Sequence, residues 1–338
     1  MTNAPRVRFA EHTRRRSMPD TFSLLQQAQP IEGVNYQLDG TTARIFRSTI
    51  STGDVTIPAS VTHCGKTYIV TKLSNHAFEK STITSLQFTS DSEVTSFGTS
   101  CIPDTLEELV IPAKLKELEY CFLGNAKNLT TVEVDPQNNY FTIHEGCLYN
   151  KGLTTLYIVP RNMEVLNLPT ETIRINPYAA SFSNLKTIVF PDDSQLKIID
   201  NAAFSNTKLT EVTFPPSVNQ LGNLCFGNVN LEKATFTGDS ISIGKDCFTS
   251  EGDFTFFALE GSEVKQPKNA SLNIVRIDSS GHPITTRFAQ DGAKGPLEER
   301  IVVLEKENQE LKKQLNEINK KLEDFEKKMA FLLESKNK

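Results

Sequence analysis

"LTEVTFPPSVNQLGNLCFGN" (Leu209–Asn228) decides the fold. Its first half has the form L-x-x-φ-x-φ, in which alternate side chains of a short extended segment turn to one face. Pro215 and Pro216 end that segment, because proline cannot continue a strand ladder. The second half turns the chain back and finishes on a small residue followed by Phe, Cys225-Phe226. The same ending stands 22 residues earlier at Ala203-Phe204 and 22 residues later at Cys247-Phe248.

Working outward, the endings form a series: His76-Ala-Phe, Ser100-Cys-Ile, Tyr120-Cys-Phe, Gly146-Cys-Leu, Tyr178-Ala-Ala, Ala202-Ala-Phe, Leu224-Cys-Phe and Asp246-Cys-Phe. Successive members lie 20 to 26 residues apart, except for a 32-residue step after Gly146 that holds an extra strand-like piece, "MEVLNLP". Between them recur "LEELVIP" (from Leu106), "LTTVEV" (Leu129), "LTTLYIVP" (Leu153), "LKTIVFP" (Leu185) and the opening "LTEVTFP". One such unit cannot bury its own apolar face, whereas stacked units bury a continuous core. The expectation is a β-rich solenoid with repeats of about 22–24 residues. Cys101, Cys121, Cys147, Cys225 and Cys247 fall where Ala77, Ala179 and Ala203 stand in other repeats, which reads as a buried small filler. Rung spacing allows a Cys121–Cys147 or Cys225–Cys247 bridge, but a cytosolic address argues for free thiols.

The stretches "DVTIPASVTHCGKTYIVTKLSNHAF" (Asp54–Phe78), "YFTIHEGCLYNKGLTTLYIVP" (Tyr140–Pro160) and "LTEVTFPPSVNQLGNLCF" resemble BspA-like leucine-rich repeat proteins, a family of anaerobic bacteria that is expanded in parasitic protists. The resemblance spans Gly33 to Phe257. It implies a curved solenoid that binds other macromolecules, in the manner of surface antigens that adhere to host cells or matrix. Leu148 and Ala180 depart from the Phe ending.

The repeats give the domain plan: a disordered basic arm over 1–32, the leucine-rich repeat solenoid over 33–257, a polar linker over 258–296 and a coiled coil over 297–335. "SLNIVRID" within the linker can add a strand. In the last segment apolar residues, with the polar Asn308 among them, keep 4-3 spacing at Leu297, Ile301, Leu304, Asn308, Leu311, Leu315, Ile318, Leu322, Phe325, Met329 and Leu332. Five regular heptads predict an α-helical parallel coiled coil. Asn308 at an a position favours a two-stranded, in-register homodimer. The e/g pairs Arg300–Glu305, Glu307–Lys312 and Lys321–Glu326 agree with that orientation.

Composition narrows the function. The chain has 338 residues, 38% of them hydrophobic and 23% charged, with a net charge of −5, so a nucleic-acid partner is not expected. No apolar run suggests a membrane span or a secretory signal, which predicts a cytoplasmic protein. The five histidines are dispersed, and no metal-ligand spacing, phosphate loop or nucleophile elbow occurs, so neither a cofactor nor an enzyme is expected. "NLT" at Asn128 and "NAS" at Asn269 are glycosylation sequons. At the N-terminus "RVRF" (Arg6, Val7, Phe9) matches a phosphatase-docking sequence, and "RRRSMP" places Ser17 and Pro19 as in a phosphoserine-adaptor site.

These features give a non-enzymatic binding module, displayed as a coiled-coil dimer and holding a protein or glycan ligand on its strands. The alternative is an intracellular scaffold or phosphatase-targeting subunit that works through the N-terminal motifs. In a curved solenoid the strands line the concave face. The outward positions expected to meet the partner are Glu107, Glu108, Thr131, Glu133, Thr155, Tyr157, Thr187, Glu211 and Thr213, with Tyr157 as the aromatic anchor.

Overall fold

Each repeat folds into one turn of a β-solenoid, because its apolar strand positions can be buried only against the turns above and below. The computed structural model describes residues 9–11, 30–51, 53–124, 126–249, 253–267 and 272–284, with about nine turns and no helix among them. The heptad residues Ile301 to Leu332, with Arg6, Val7, Ser17 and Pro19, lie outside the described residues.

The strands fall into ladders. One sheet runs β1 (Phe9–Glu11), β2 (Val34–Asp39), β3 (Thr42–Ser48), β6 (Lys66–Leu73), β8 (Ser96–Phe97) and β10 (Glu117–Leu118), with β5 (Ser60–His63) folded back on β6. On another face of the same turns lie β4 (Asp54–Ile57), β7 (Ser85–Phe88), β9 (Glu108–Ile111) and β11 (Thr131–Val134). Further along, a long sheet runs β12 (Phe141–His144), β13 (Cys147–Asn150), β14 (Thr155–Ile158), β16 (Arg174–Ile175), β18 (Ile198–Ile199), β20 (Gln220–Leu221), β23 (Ser240–Ile243) and β26 (Glu263–Lys265). It is accompanied by β15 (Val165–Asn167) with β17 (Thr187–Val189), by β19 (Glu211–Phe214) with β22 (Lys233–Phe236), β25 (Thr255–Leu259) and β27 (Ile274–Ile277), and by β21 (Phe226–Gly227) with β24 (Phe248–Thr249). Apart from the hairpins these pairings are parallel, and in register as in Glu211↔Lys233↔Thr255, with a shift between Ala43 and Arg44 where β3 meets β6.

The Phe endings are the core. Phe226 is fully buried, and its ring stacks on Phe204 (5.4 Å between centroids, 14° between planes) and on Phe248 (5.5 Å, 10°). The backbone holds these rings in step, since Phe204 N–H donates to Cys225 O (2.9 Å) and Phe226 N–H to Cys247 O (2.8 Å). Just before each small residue the chain takes a left-handed conformation: φ is 60° at His76, 48° at Ser100, 58° at Tyr178, 51° at Ala202, 53° at Leu224 and 51° at Asp246. That residue makes the corner of the rung. Gly222 and Gly244 precede two of these corners, and a Cβ on either would collide with the backbone of the turn below.

Four expectations are corrected. Cys121 is not a filler: it is itself the left-handed corner (φ 58°) and is half-buried, so Phe122 and Leu123 take the buried places. Cys147 is buried but not at a rung ending. It follows a two-residue turn, Glu145 (φ 46°) and Gly146 (φ 79°), that joins β12 to β13, the pair of positive φ angles that makes a tight hairpin. "LTTLYIVP" does not join the ladder of its look-alikes. As β14 it pairs with β13 and β16, while the extra piece "MEVLNLP" supplies β15 and pairs with β17. Beyond the strand expected of "SLNIVRID" (β27), the linker also carries β26, and both extend ladders, while within the arm Phe9–Glu11 pairs with Tyr36–Leu38. All six cysteines are free.

The β12–β13–β14 detour divides the interior into two buried clusters, one holding Leu148 and Ile158 and the other Cys147, Tyr149 and Leu156. Arg161 ties the two sides. Its buried guanidinium donates from Nε to Ala126 O (2.9 Å), from Nη1 to Val159 O and Ala179 O (both 2.9 Å), and from Nη2 to Tyr178 O (3.4 Å). Burial pushes its pKa down to about 9, still above neutrality, so the guanidinium stays charged.

Candidate functional site

The two sheets that contain β3 and β16 carry a connected set of fixed polar side chains. Arg44 on β3 and Lys72 on β6 stand opposite each other in register. Like charges placed so are unfavourable unless compensated. Lys72 finds its compensation two strands away: Nζ lies 2.7 Å from Glu119 Oε1, across β8. On β8, Ser96 pairs with both Lys72 and Glu117 in the ladder between them. The hydrogen bond from Lys72 holds the Glu119 carboxyl below its ordinary pKa. Arg44 donates from Nε and Nη2 to Gln37 Oε1 (3.0 and 2.7 Å). With Phe46, Ser74 and Asn75 these residues line a cleft of about 350 Å³.

Next along the chain, Tyr120 spans the break between the two sheets. Its hydroxyl donates to Asp200 Oδ1 (3.1 Å) and accepts from Asn201 Nδ2 (2.6 Å), although 80 residues separate Tyr120 from Asp200. The Asp200 carboxylate is buried, paired with Arg174 and capped by the Asn201 N–H (2.9 Å). Burial and then the Asp200 charge push the Tyr120 pKa up to about 12, so it remains a neutral donor. The phenol is thus held at its tip while the residue stays 51% exposed. An aromatic face that is exposed yet clamped can be buried by a partner with little further loss of rotamer entropy.

Of the residues expected from sequence to meet a partner, Glu108 and Thr131 are paired neighbours on β9 and β11, with Glu133 two residues on and Glu107 just before β9. Thr187 lies on β17 beside Val165, and Glu211 and Thr213 lie on β19 opposite Lys233 and Thr235. All seven are exposed. Thr155 and Tyr157 lie on β14, in the sheet of Arg174, and Tyr157 packs edge-on against Phe141 (5.3 Å, 88°). The structure therefore does not bring the nine together in one strip. Sequence reasoning missed Tyr120, Arg174 and Asp200. A signal was present: Glu119 and Asp200 stand two residues before a left-handed corner, where other rungs have Gly98, Gly222 and Gly244. Among the described residues no cluster of three or more His, Cys, Asp or Glu side chains is placed to hold a metal ion, and no helix is long and apolar enough to cross a membrane.

The corner-and-ladder repeat with its small–Phe ending is matched by the family model of the BspA type leucine rich repeat region, in six copies over residues 71–169 and 172–273. The chain belongs to the BspA-type leucine-rich repeat family. A leucine-rich repeat protein from Eubacterium ventriosum shares its fold at a TM-score of 0.53 and 18% identity, covering 70% of this chain and 72% of that one. The pneumococcal vaccine antigen PcpA aligns at a TM-score of 0.34 and 15% identity (72% and 99% covered). A leucine rich cell surface protein from Faecalibacterium prausnitzii aligns at 0.36 and 15% (73% and 96%). No curated protein matches the chain.

Proposed function

We propose that this BspA-type repeat protein is a non-enzymatic, adhesion-type module that binds a protein partner across Arg44, Lys72, Glu119, Tyr120 and Arg174. The observation that carries the reading is Tyr120, a half-exposed ring clamped by Asp200 and Asn201. Around it the charges of Lys72–Glu119 and Arg174–Asp200 are fixed in place, which gives a partner a defined pattern to complement. The heptads of 297–335 support display as a parallel dimer, so that two solenoids engage a repetitive target with avidity. The outward strip of Glu107, Glu108, Thr131, Glu133, Thr187, Glu211 and Thr213 is the competing surface.

Site-specific photocrosslinking in the native cell tests this. A crosslinker at position 120 is expected to trap a discrete partner that Arg174→Glu releases, while one at position 187 is expected to trap none. Capture at 187 alone, or at neither position, refutes the assignment. Light scattering on the full chain, with and without residues 297–338, reads the dimer independently; a monomer in both refutes the coiled-coil display.

A further inference from the structure

A second cleft, of about 400 Å³, opens where the β4–β7–β9–β11 ladder stops and the chain detours before β15. Here three turns stack through their backbones, and polar side chains from each line the cleft. Asn128, Asn162 and Asn184 all line it, and among the described residues none of their carboxamides has a protein hydrogen-bond partner. Lys127 and the ring of Phe182 complete the wall, and Phe182 makes no ring contact among the described residues. The backbone beneath is rigid: Arg161 N–H donates to Leu129 O and Asn184 N–H to Arg161 O (both 2.8 Å).

The chemistry of this wall selects its ligand. An anion would want the Arg161 guanidinium, but four of its five N–H donors are spent on backbone carbonyls. The remaining lining charges, Lys127 and Glu107, cancel. An apolar ligand would find a single ring and no enclosing apolar walls. Three free carboxamides suit a different guest. Each offers an acceptor and two donors in one plane, which matches two adjacent hydroxyl groups, and a ring beside them can stack on the C–H face of a sugar. We propose that this cleft is a carbohydrate site that takes a neutral pyranose through Asn128, Asn162 and Asn184, with Phe182 as its stacking platform.

The test uses the full chain made without glycosylation, since Asn128 is itself in an N-L-T sequon. Saturation-transfer NMR with the methyl glycosides of glucose, galactose, mannose and N-acetylglucosamine, each at about 10 mM, covers the weak range expected for a single sugar in an open cleft. At least one probe is expected to receive saturation, with affinity falling about tenfold or more in Asn184→Ala and in Phe182→Ala. Tyr120→Ala is expected to bind sugar as the parent does, which separates this site from the proposed protein-binding strip. Melting curves verify that the variants fold, and Asn162→Ala, on an exposed side chain, replaces either one that does not. No transfer to any of the four glycosides, or transfer that survives both substitutions, overturns the proposal.

Discussion

Replacing Phe226 by Ala removes the central ring of the stack. The side chain is fully buried, lies face-to-face on Phe204 and Phe248, and meets Phe214 at 5.8 Å and 63°. Truncating a buried Phe costs about 3–5 kcal/mol through lost transfer free energy and the cavity left behind. Each aromatic pair adds about 0.5–1.5 kcal/mol beyond burial. The rungs cannot close the gap, because their separation is fixed by hydrogen bonds such as Phe226 N–H to Cys247 O. The expected loss is therefore near the upper end, about 5 kcal/mol. Phe182→Ala is the comparison: that ring is half-buried and unstacked, and its loss should cost about 1 kcal/mol. Urea unfolding followed by circular dichroism and tyrosine fluorescence reports both, and the second probe is clean because the chain has no Trp and Tyr149 lies in the same buried cluster. Phe204→Ala combined with Phe226→Ala should cost less than the sum of the two, since they share one contact. A Phe226→Ala protein no less stable than Phe182→Ala, or strict additivity in the double variant, would show that the rings are not stacked as described.

Arg161→Lys should destabilise the protein by about 2–4 kcal/mol, because one ammonium cannot satisfy four dispersed carbonyls. Calorimetry should then resolve two transitions where the parent shows one, as the clusters on either side of β12–β14 melt separately; a single unshifted transition would refute the clamp. Native alkylation at pH 8 should label Cys64 first, the one exposed thiol, and Cys225 and Cys247 last. Burial pushes the Cys121 pKa up to about 11, that of Cys147 to about 12, and that of Cys225 well above the ordinary range, so their thiolate fraction near neutrality is very small. Mass spectrometry that found Cys225 modified as fast as Cys64 would contradict this.

The repeat, its strand signature and the burial of the Phe endings were legible in the chain because they are local: alternation, a proline stop and a small–Phe pair lie within about 20 residues. The same locality let the family be recognised. The heptads of 297–335 likewise rest on sequence spacing alone. Which ladder a strand joins was not legible. "LTTLYIVP" and "MEVLNLP" both read as strands, and β15 rather than β14 takes the place beside β17 because a parallel pairing is set by which edge is free in space, not by the strand's own residues. The filler reading failed at Cys121, and at Cys147, which is buried as expected, only the rung-ending placement failed, for a similar reason: a corner, a hairpin turn and a rung ending can all carry Gly, Cys or a small residue, and only φ and the hydrogen-bond partner separate them. The candidate sites belong to the tertiary structure. Tyr120 meets Asp200 across 80 residues of chain, and Asn128, Asn162 and Asn184 share a cleft because the three turns that carry them stack through backbone hydrogen bonds. The chain's own periodicity determined that there is a solenoid; where that solenoid departs from its period, and which side chains the departure brings together, was decided by long-range hydrogen bonds and packing that no window of sequence contains.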